Sequence, residues 1–120
     1  MITVRFEKCD GNIQSVRVTG HSGYADAGED IVCSGISALT IAVINGLTEV
    51  VGLKNEAVIV SLEPGHTIFN VPLSNDPQKK AAIAALIDTY ELNVRATADE
   101  YQDYVKVIEK NTISGGQYHD

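Results

Sequence analysis

The sequence predicts one α+β domain, in the order ββαββα plus a short final strand, with a mostly antiparallel sheet and two helices packed on it. Three observations predict it. The 120 residues suffice for one hydrophobic core, since single domains run to about 100–150 residues. Apolar and polar residues alternate around Asp10-Gly11 and Pro64-Gly65, the period of half-buried strands joined by turns. Two longer segments, opening at Asp30 and at Asp76-Pro77, lack that alternation and read as helices that need a sheet face to cover.

In the first hairpin Ile2, Val4 and Phe6 alternate with Thr3, Arg5 and Glu7, and Ile13, Val16 and Val18 belong to the returning strand. Residues 21–29 are small, Gly-containing and aperiodic: a loop of about ten residues, of the kind that carries function in compact domains. Asp30 can accept a bond from a free backbone N–H, so it is predicted to cap the next helix, which runs to about Val51 and ends near Gly52. Residues 31–48 of that helix carry no charge, and those 18 residues reach the lower limit of a membrane span. Ser34, Ser37, Thr40, Asn45 and Thr48 interrupt the run, however, and its flanks are Asp30 and Glu49 rather than Lys or Arg. It reads as a buried core helix, and no membrane partner is expected.

Residues 57–63 read as a strand, Pro64-Gly65 as a turn and residues 67–72 as the antiparallel partner. Asp76 as N-cap and Pro77 in the first turn open the second helix. Ile83, Leu86, Ile87, Tyr90, Val94 and Tyr101 make its apolar stripe. Residues 104–109 form the short last strand, and residues 111–120 are expected to be a loose tail after a domain of residues 1–110.

The net charge of −7 argues against a nucleic-acid partner, whose binders carry a basic patch. Two cysteines make no disulfide framework and no charged-then-apolar leader opens the chain, so a reducing, cytoplasmic compartment is expected. Metal-ligand spacings such as Cys-x-x-Cys are absent, and Gly20, Gly23 and Gly28 make no phosphate-binding fingerprint. No cofactor is expected.

Cys33 is the residue with chemistry to offer. With Asp30 as cap it falls in the first helical turn, where unpaired N–H groups and the helix dipole favour a thiolate and an oxyanion. His21 stands twelve residues upstream, at the other end of the loop, and an imidazole within reach would take the thiol proton. Ser37 and Thr40 share the helical face of Cys33 and either orient the thiolate or bond back to helix carbonyls. The competing reading makes Cys33 a small core hydrophobe and His21 a solvated turn residue. Cys9, His66 and His119 lack an activating environment.

The run Gly20-His21-Ser22-Gly23-Tyr24-Ala25, followed by Gly28-Glu29-Asp30-Ile31-Val32-Cys33 and Ser37, resembles the signature of the ribosomal-processing cysteine protease family, called Prp. That signature runs Gly-His-Ala, a short Gly-rich loop, Asp-Ile-Val-Cys and a serine one turn later. Ser22 departs from it where Ala is usual, and Ser34-Gly35 replaces a pair of small residues. The resemblance implies a cytoplasmic, metal-independent endopeptidase, homodimeric, that removes a short N-terminal extension from the basic ribosomal protein L-twenty-seven during large-subunit maturation. It further implies that Cys33 is the nucleophile and His21 the general base, supported by Gly20, Asp30 and Ser37. Ser22, Gly23, Tyr24 and Gly28 then belong to the loop that meets the substrate. Residues just before the cut are aromatic or apolar in this family, which would need a pocket beside Cys33. Two alternatives stand against this reading: a non-enzymatic ribosome-assembly or adaptor module with an inert, buried Cys33, and a thiol hydrolase of small acyl substrates.

Overall fold

The computed structural model describes residues 1–20 and 27–114, the side chains of residues 27 and 29 excepted. Its strands β1 (Ile2–Cys9) and β2 (Asn12–Thr19) form the first hairpin as expected. Asp10 and Gly11 both take positive φ, 53° and 83°, the backbone that a two-residue hairpin turn demands. Val4 opposes Val18 and Phe6 opposes Val16, so the apolar residues of both strands share one face.

Helix α1 (Ala27–Asn45) follows and continues into a π-helical turn (Gly46–Val50). It begins three residues before Asp30, which is therefore no cap. Asp30 is instead a first-turn acid, a placement the helix dipole favours as well as a cap. The uncharged stretch is long and apolar enough to cross a membrane. Val32, Ile36, Val43, Ile44 and Leu47 nevertheless point into the core, as a core helix requires. The turn ends at Gly52, whose φ is +87°, where Leu53 N–H closes on the Leu47 carbonyl at 3.0 Å.

Residues 57 and 58, expected to open the next strand, differ from expectation. They end a single helical turn, α2 (Asn55–Val58), before β3 (Ile59–Glu63) begins. The short apolar run of residues 57–60 cannot tell strand from helix by period, and burial of Val58 is satisfied either way. β4 (His66–Asn70) returns antiparallel. Asp76 caps α3 (Pro77–Glu100) by accepting from the Gln78 N–H at 2.9 Å. Tyr101 leaves the predicted stripe: it is the exposed residue that ends the helix, and Ala98 packs against the core instead.

β5 (Val105–Thr112) completes a sheet ordered β3-β4-β2-β1-β5. The three other pairings are antiparallel, whereas β5 runs parallel to β1, from Ile2 opposite Val105 to Cys9 opposite Thr112. Helix α3 supplies the crossover that a parallel pair needs. The strand continues into the segment read as a tail, and its end is fastened to the first hairpin. Asp10 N–H donates to the Thr112 carbonyl at 3.0 Å, and Ser114 N–H donates to Asp10 Oδ1 at 3.1 Å. The Ser114 hydroxyl and amide together hold the Asp10 carboxyl below its usual range.

Both long helices lie on the face that carries Val4, Phe6, Val16, Val18 and Phe69. At its β5 side this core is closed by ions. Lys8 Nζ lies 2.9 Å from Glu91 and 3.1 Å from Glu109, and Arg95 reaches the same two carboxylates at 2.9 and 2.6 Å. The Arg95 guanidinium also sits 5.4 Å from the Phe6 ring centroid.

Candidate active site

α1 carries Cys33 in its second turn, on the face turned to the sheet, and leaves it 7% exposed among Val32 and Ile36. The helix starts at Ala27, so its free N–H groups belong to residues 27–30, and Cys33 lies beyond them. The expectation of unpaired helix N–H groups around the thiol is thus overturned. A helix dipole acts within its first turn, so the free N–H groups of α1 supply neither thiolate stabilisation nor oxyanion donors at Cys33. Gly28, assigned to the substrate loop, is helical for the same reason; Asp30 is exposed in the first turn. His21, Ser22, Gly23 and Tyr24 lie outside the described residues, and so does His119.

The residue before His21 is held firmly. Gly20 has φ +94°, its N–H donates to the Gly65 carbonyl at 3.1 Å, and a Cβ there would stand 2.2 Å from the Met1 carbonyl oxygen. Only glycine fits that backbone and that space. The start of β1, the end of β2 and the β3–β4 turn therefore converge on the point where the chain enters His21.

One turn beyond Cys33, Ser37 is exposed and Thr40 is buried at 3% exposure. Thr40 Oγ1 donates to the Ile36 carbonyl at 2.8 Å, the back-bond to the helix rather than a contact with the thiol. It also lies 2.8 Å from the Tyr90 hydroxyl of α3. Burial pushes the Tyr90 phenol up to about 12, partly offset by Thr40, so the phenol is a neutral donor near neutral pH. The ring stands edge-on to Phe6 and Phe69, with centroids 6.1 and 5.7 Å away.

Gly20, Ser37 and Thr40 share a cavity of about 270 Å³ with Ile2, Val18 and the β3–β4 turn. It opens beside Gly20, the residue before His21, and beside the helix that carries Cys33. Leu62, Gly65 and His66 line it too, and the sequence alone did not point to them. His66, read as an idle turn residue, starts β4 with its Nδ1 3.2 Å from Ser61 Oγ. Pro64-Gly65 announces a turn, but not that the turn folds against Gly20. Cys9 is half-buried, its Sγ 3.8 Å from Asp10 Oδ2, far along β1 from this corner. Among the described residues, no three His, Cys, Asp or Glu side chains cluster as a metal site would require.

An α+β sheet covered by a helix that carries Cys33, with a cavity opening one turn further along at Ser37, suits the class of cysteine hydrolases. Comparison with known proteins sharpens that class. The family model of the cysteine protease Prp matches residues 1–106, and the chain belongs to that family. The ribosomal processing cysteine protease Prp of Bacillus subtilis is 26% identical over 98 residues, 82% of this chain and 87% of that protein. A crystal structure of the essential ribosomal processing protease Prp from S. aureus, in complex with a substrate peptide, superposes with a TM-score of 0.75 at 24% identity. It covers 92% of this chain and 100% of that one. The same enzyme with a covalently linked product peptide gives 0.70 at 25% identity and the same coverage. This chain is a cysteine protease, and the reading as a non-enzymatic module falls away.

Proposed function

We propose that this protease removes the N-terminal extension of ribosomal protein L-twenty-seven, with Cys33 as nucleophile and His21 as general base. The observation that carries the reading is the family match over residues 1–106, which takes in both residues and the spacing between them. The His21 imidazole takes the proton from Cys33 Sγ, and the thiolate attacks the scissile carbonyl to form an S–C bond. As the C–N bond breaks, the imidazolium returns its proton to the leaving amine. Water, deprotonated by the same imidazole, then cleaves the thioester and frees the new carboxylate.

Gly20 directs the chain into His21, while Ser37 lines the cavity one turn from the nucleophile. An acidic protein of net charge −7 suits a basic precursor that is free of RNA. Both cysteines are free, in keeping with action in the cytoplasm; the family resemblance adds a homodimer.

Incubation with the extended precursor, followed by mass analysis, tests the reading. The intact enzyme should release the extension at one bond, Cys33→Ala and His21→Ala should each release nothing, and a precursor without the extension should stay whole. Cleavage by Cys33→Ala would rule out the mechanism, and an uncut precursor would rule out the substrate. A thiol hydrolase of small acyl substrates would instead turn over thioesters while leaving the precursor intact.

A further inference from the structure

Both long helices lie on one face of the sheet, and the opposite face is open. Register sets Ile68, Arg17, Arg5 and Ile108 side by side in one row of it, on β4, β2, β1 and β5. Lys106 and Lys110 flank that row along β5, opposite Thr3 and Glu7. Arg17, Lys106, Ile108 and Lys110 are exposed. The two arginines are direct cross-strand partners, a pairing of like charges that costs stability. One acid answers them: Glu7 Oε1 lies 3.3 Å from Arg5 Nε, which is buried and makes no hydrogen bond. Among the described residues, Arg17, Lys106 and Lys110 form no ion pair. Glu63, the other acid of this face, stands at its far edge on β3.

We propose that this open face docks an acidic segment of a partner protein, its carboxylates meeting Arg5 and Arg17 and its apolar residues meeting Ile68 and Ile108. Four cations crowd one patch of a protein whose net charge is −7, and that local excess draws an anionic partner. Arginine grips a carboxylate through two parallel N–H bonds, which repays the repulsion that the bare pair suffers. RNA fits the patch less well. Its strands present no Phe, Tyr or Trp on which a base could stack, and two isoleucines find nothing apolar on a phosphate backbone. A second copy apposed about a two-fold axis would set arginines against arginines. Cys33 lies across the sheet on α1, so a partner held here leaves the nucleophile uncovered.

The probe is a fluorescein-labelled peptide of three Leu-Glu-Glu-Leu repeats, its binding read by anisotropy at about 0.05 M salt. The wild-type protein should bind it about tenfold more tightly than the same peptide with Gln for Glu. Ser in place of Leu should weaken it about fivefold. Arg5→Gln combined with Arg17→Gln should weaken it about tenfold and raise the urea midpoint, because the repulsion is gone. The same variant should cleave the precursor within about twofold of wild type. Should it fail to fold, Lys106→Gln with Lys110→Gln decides, expected to weaken binding about threefold. Lys79→Gln with Lys80→Gln, on α3, should bind as wild type does. Equal affinity for the Glu and Gln peptides overturns the proposal, as does an equal loss in the α3 variant. Tighter binding of a short RNA duplex than of the peptide gives the face to RNA, and self-association abolished by the arginine variant gives it to a second copy; either result overturns the proposal. Loss of cleavage in that folded variant makes the face a substrate site and overturns it too.

Discussion

At Gly20 a methyl group would meet the Met1 carbonyl oxygen at 2.2 Å, on a backbone whose φ of +94° already excludes most side chains. Gly20→Ala should cost more than about 1 kcal/mol, because strain and clash act together. It should lower peptide cleavage further, since it displaces the entry to His21. A urea midpoint equal to wild type would contradict this. Gly35 is the opposite case: it lies inside α1, and nothing stands within 4 Å of its absent Cβ. Gly35→Ala should stabilise the fold by about 1 kcal/mol, seen as a higher urea midpoint. Both glycines look alike in the sequence, and only the tertiary surroundings separate them. The motif singles out His21 and Cys33 at this scale, because the roles proposed for them, base and nucleophile, call for those residue types. Thr40 and Tyr90 left no such trace, being fifty positions apart and joined by a hydrogen bond that only the tertiary fold creates.

Elements whose ends carry local chemistry were readable. Asp76-Pro77 opens α3 and Asp10-Gly11 turns the first hairpin, each by the backbone preference of the residue itself. The start of α1 was not readable, because Asp serves equally as a cap or as a first-turn acid. The parallel pairing of β5 was hidden as well: nothing local marks a strand whose partner lies at the far end of the chain. The packing of α3 on the sheet carries a pH signature. Lys8, held by Glu91 and Glu109, binds its proton more tightly than its usual 10.5, and Tyr90 does so up to about 12. Both groups therefore contribute stability that is complete below about pH 10, where the unfolded groups titrate, and is lost as pH rises through the folded values. Urea midpoints should fall between pH 9 and pH 11.5, and Tyr90→Phe should make the fall shallower. An equal fall in both proteins would remove Tyr90 from the account.

For the whole molecule, 9 basic residues stand against 16 acidic ones. Four of the basic ones, Arg5, Arg17, Lys106 and Lys110, belong to the outward-facing rows of the sheet, opposite the face that the helices cover. The helical side, where the cavity opens, is left the more acidic. The basic precursor proposed as substrate would be steered towards that side, and such steering weakens as salt shortens the Debye length to about 10 Å at 0.1 M. kcat/KM for the full basic precursor should therefore fall with added salt at nearly constant kcat. A short neutral peptide across the same cut should respond far less. Identical salt profiles would mean that the acidic surface serves solubility alone.

The pairing of Ile2 with Val105 also has a consequence in time. Ribosomes add about 5–20 residues per second, so β1 waits several seconds for the neighbour that turns it from an edge into an interior strand. During that wait its free edge can pair with any passing strand, and contacts so distant along the chain form slowly. The corner at Gly20 waits too: it rests on Met1, and the Ile2 N–H beside it closes on the Tyr104 carbonyl at 2.9 Å. A nascent copy is thus expected to stay proteolytically silent until β5 has been made, so that the order of synthesis itself keeps an unfinished protease from cutting.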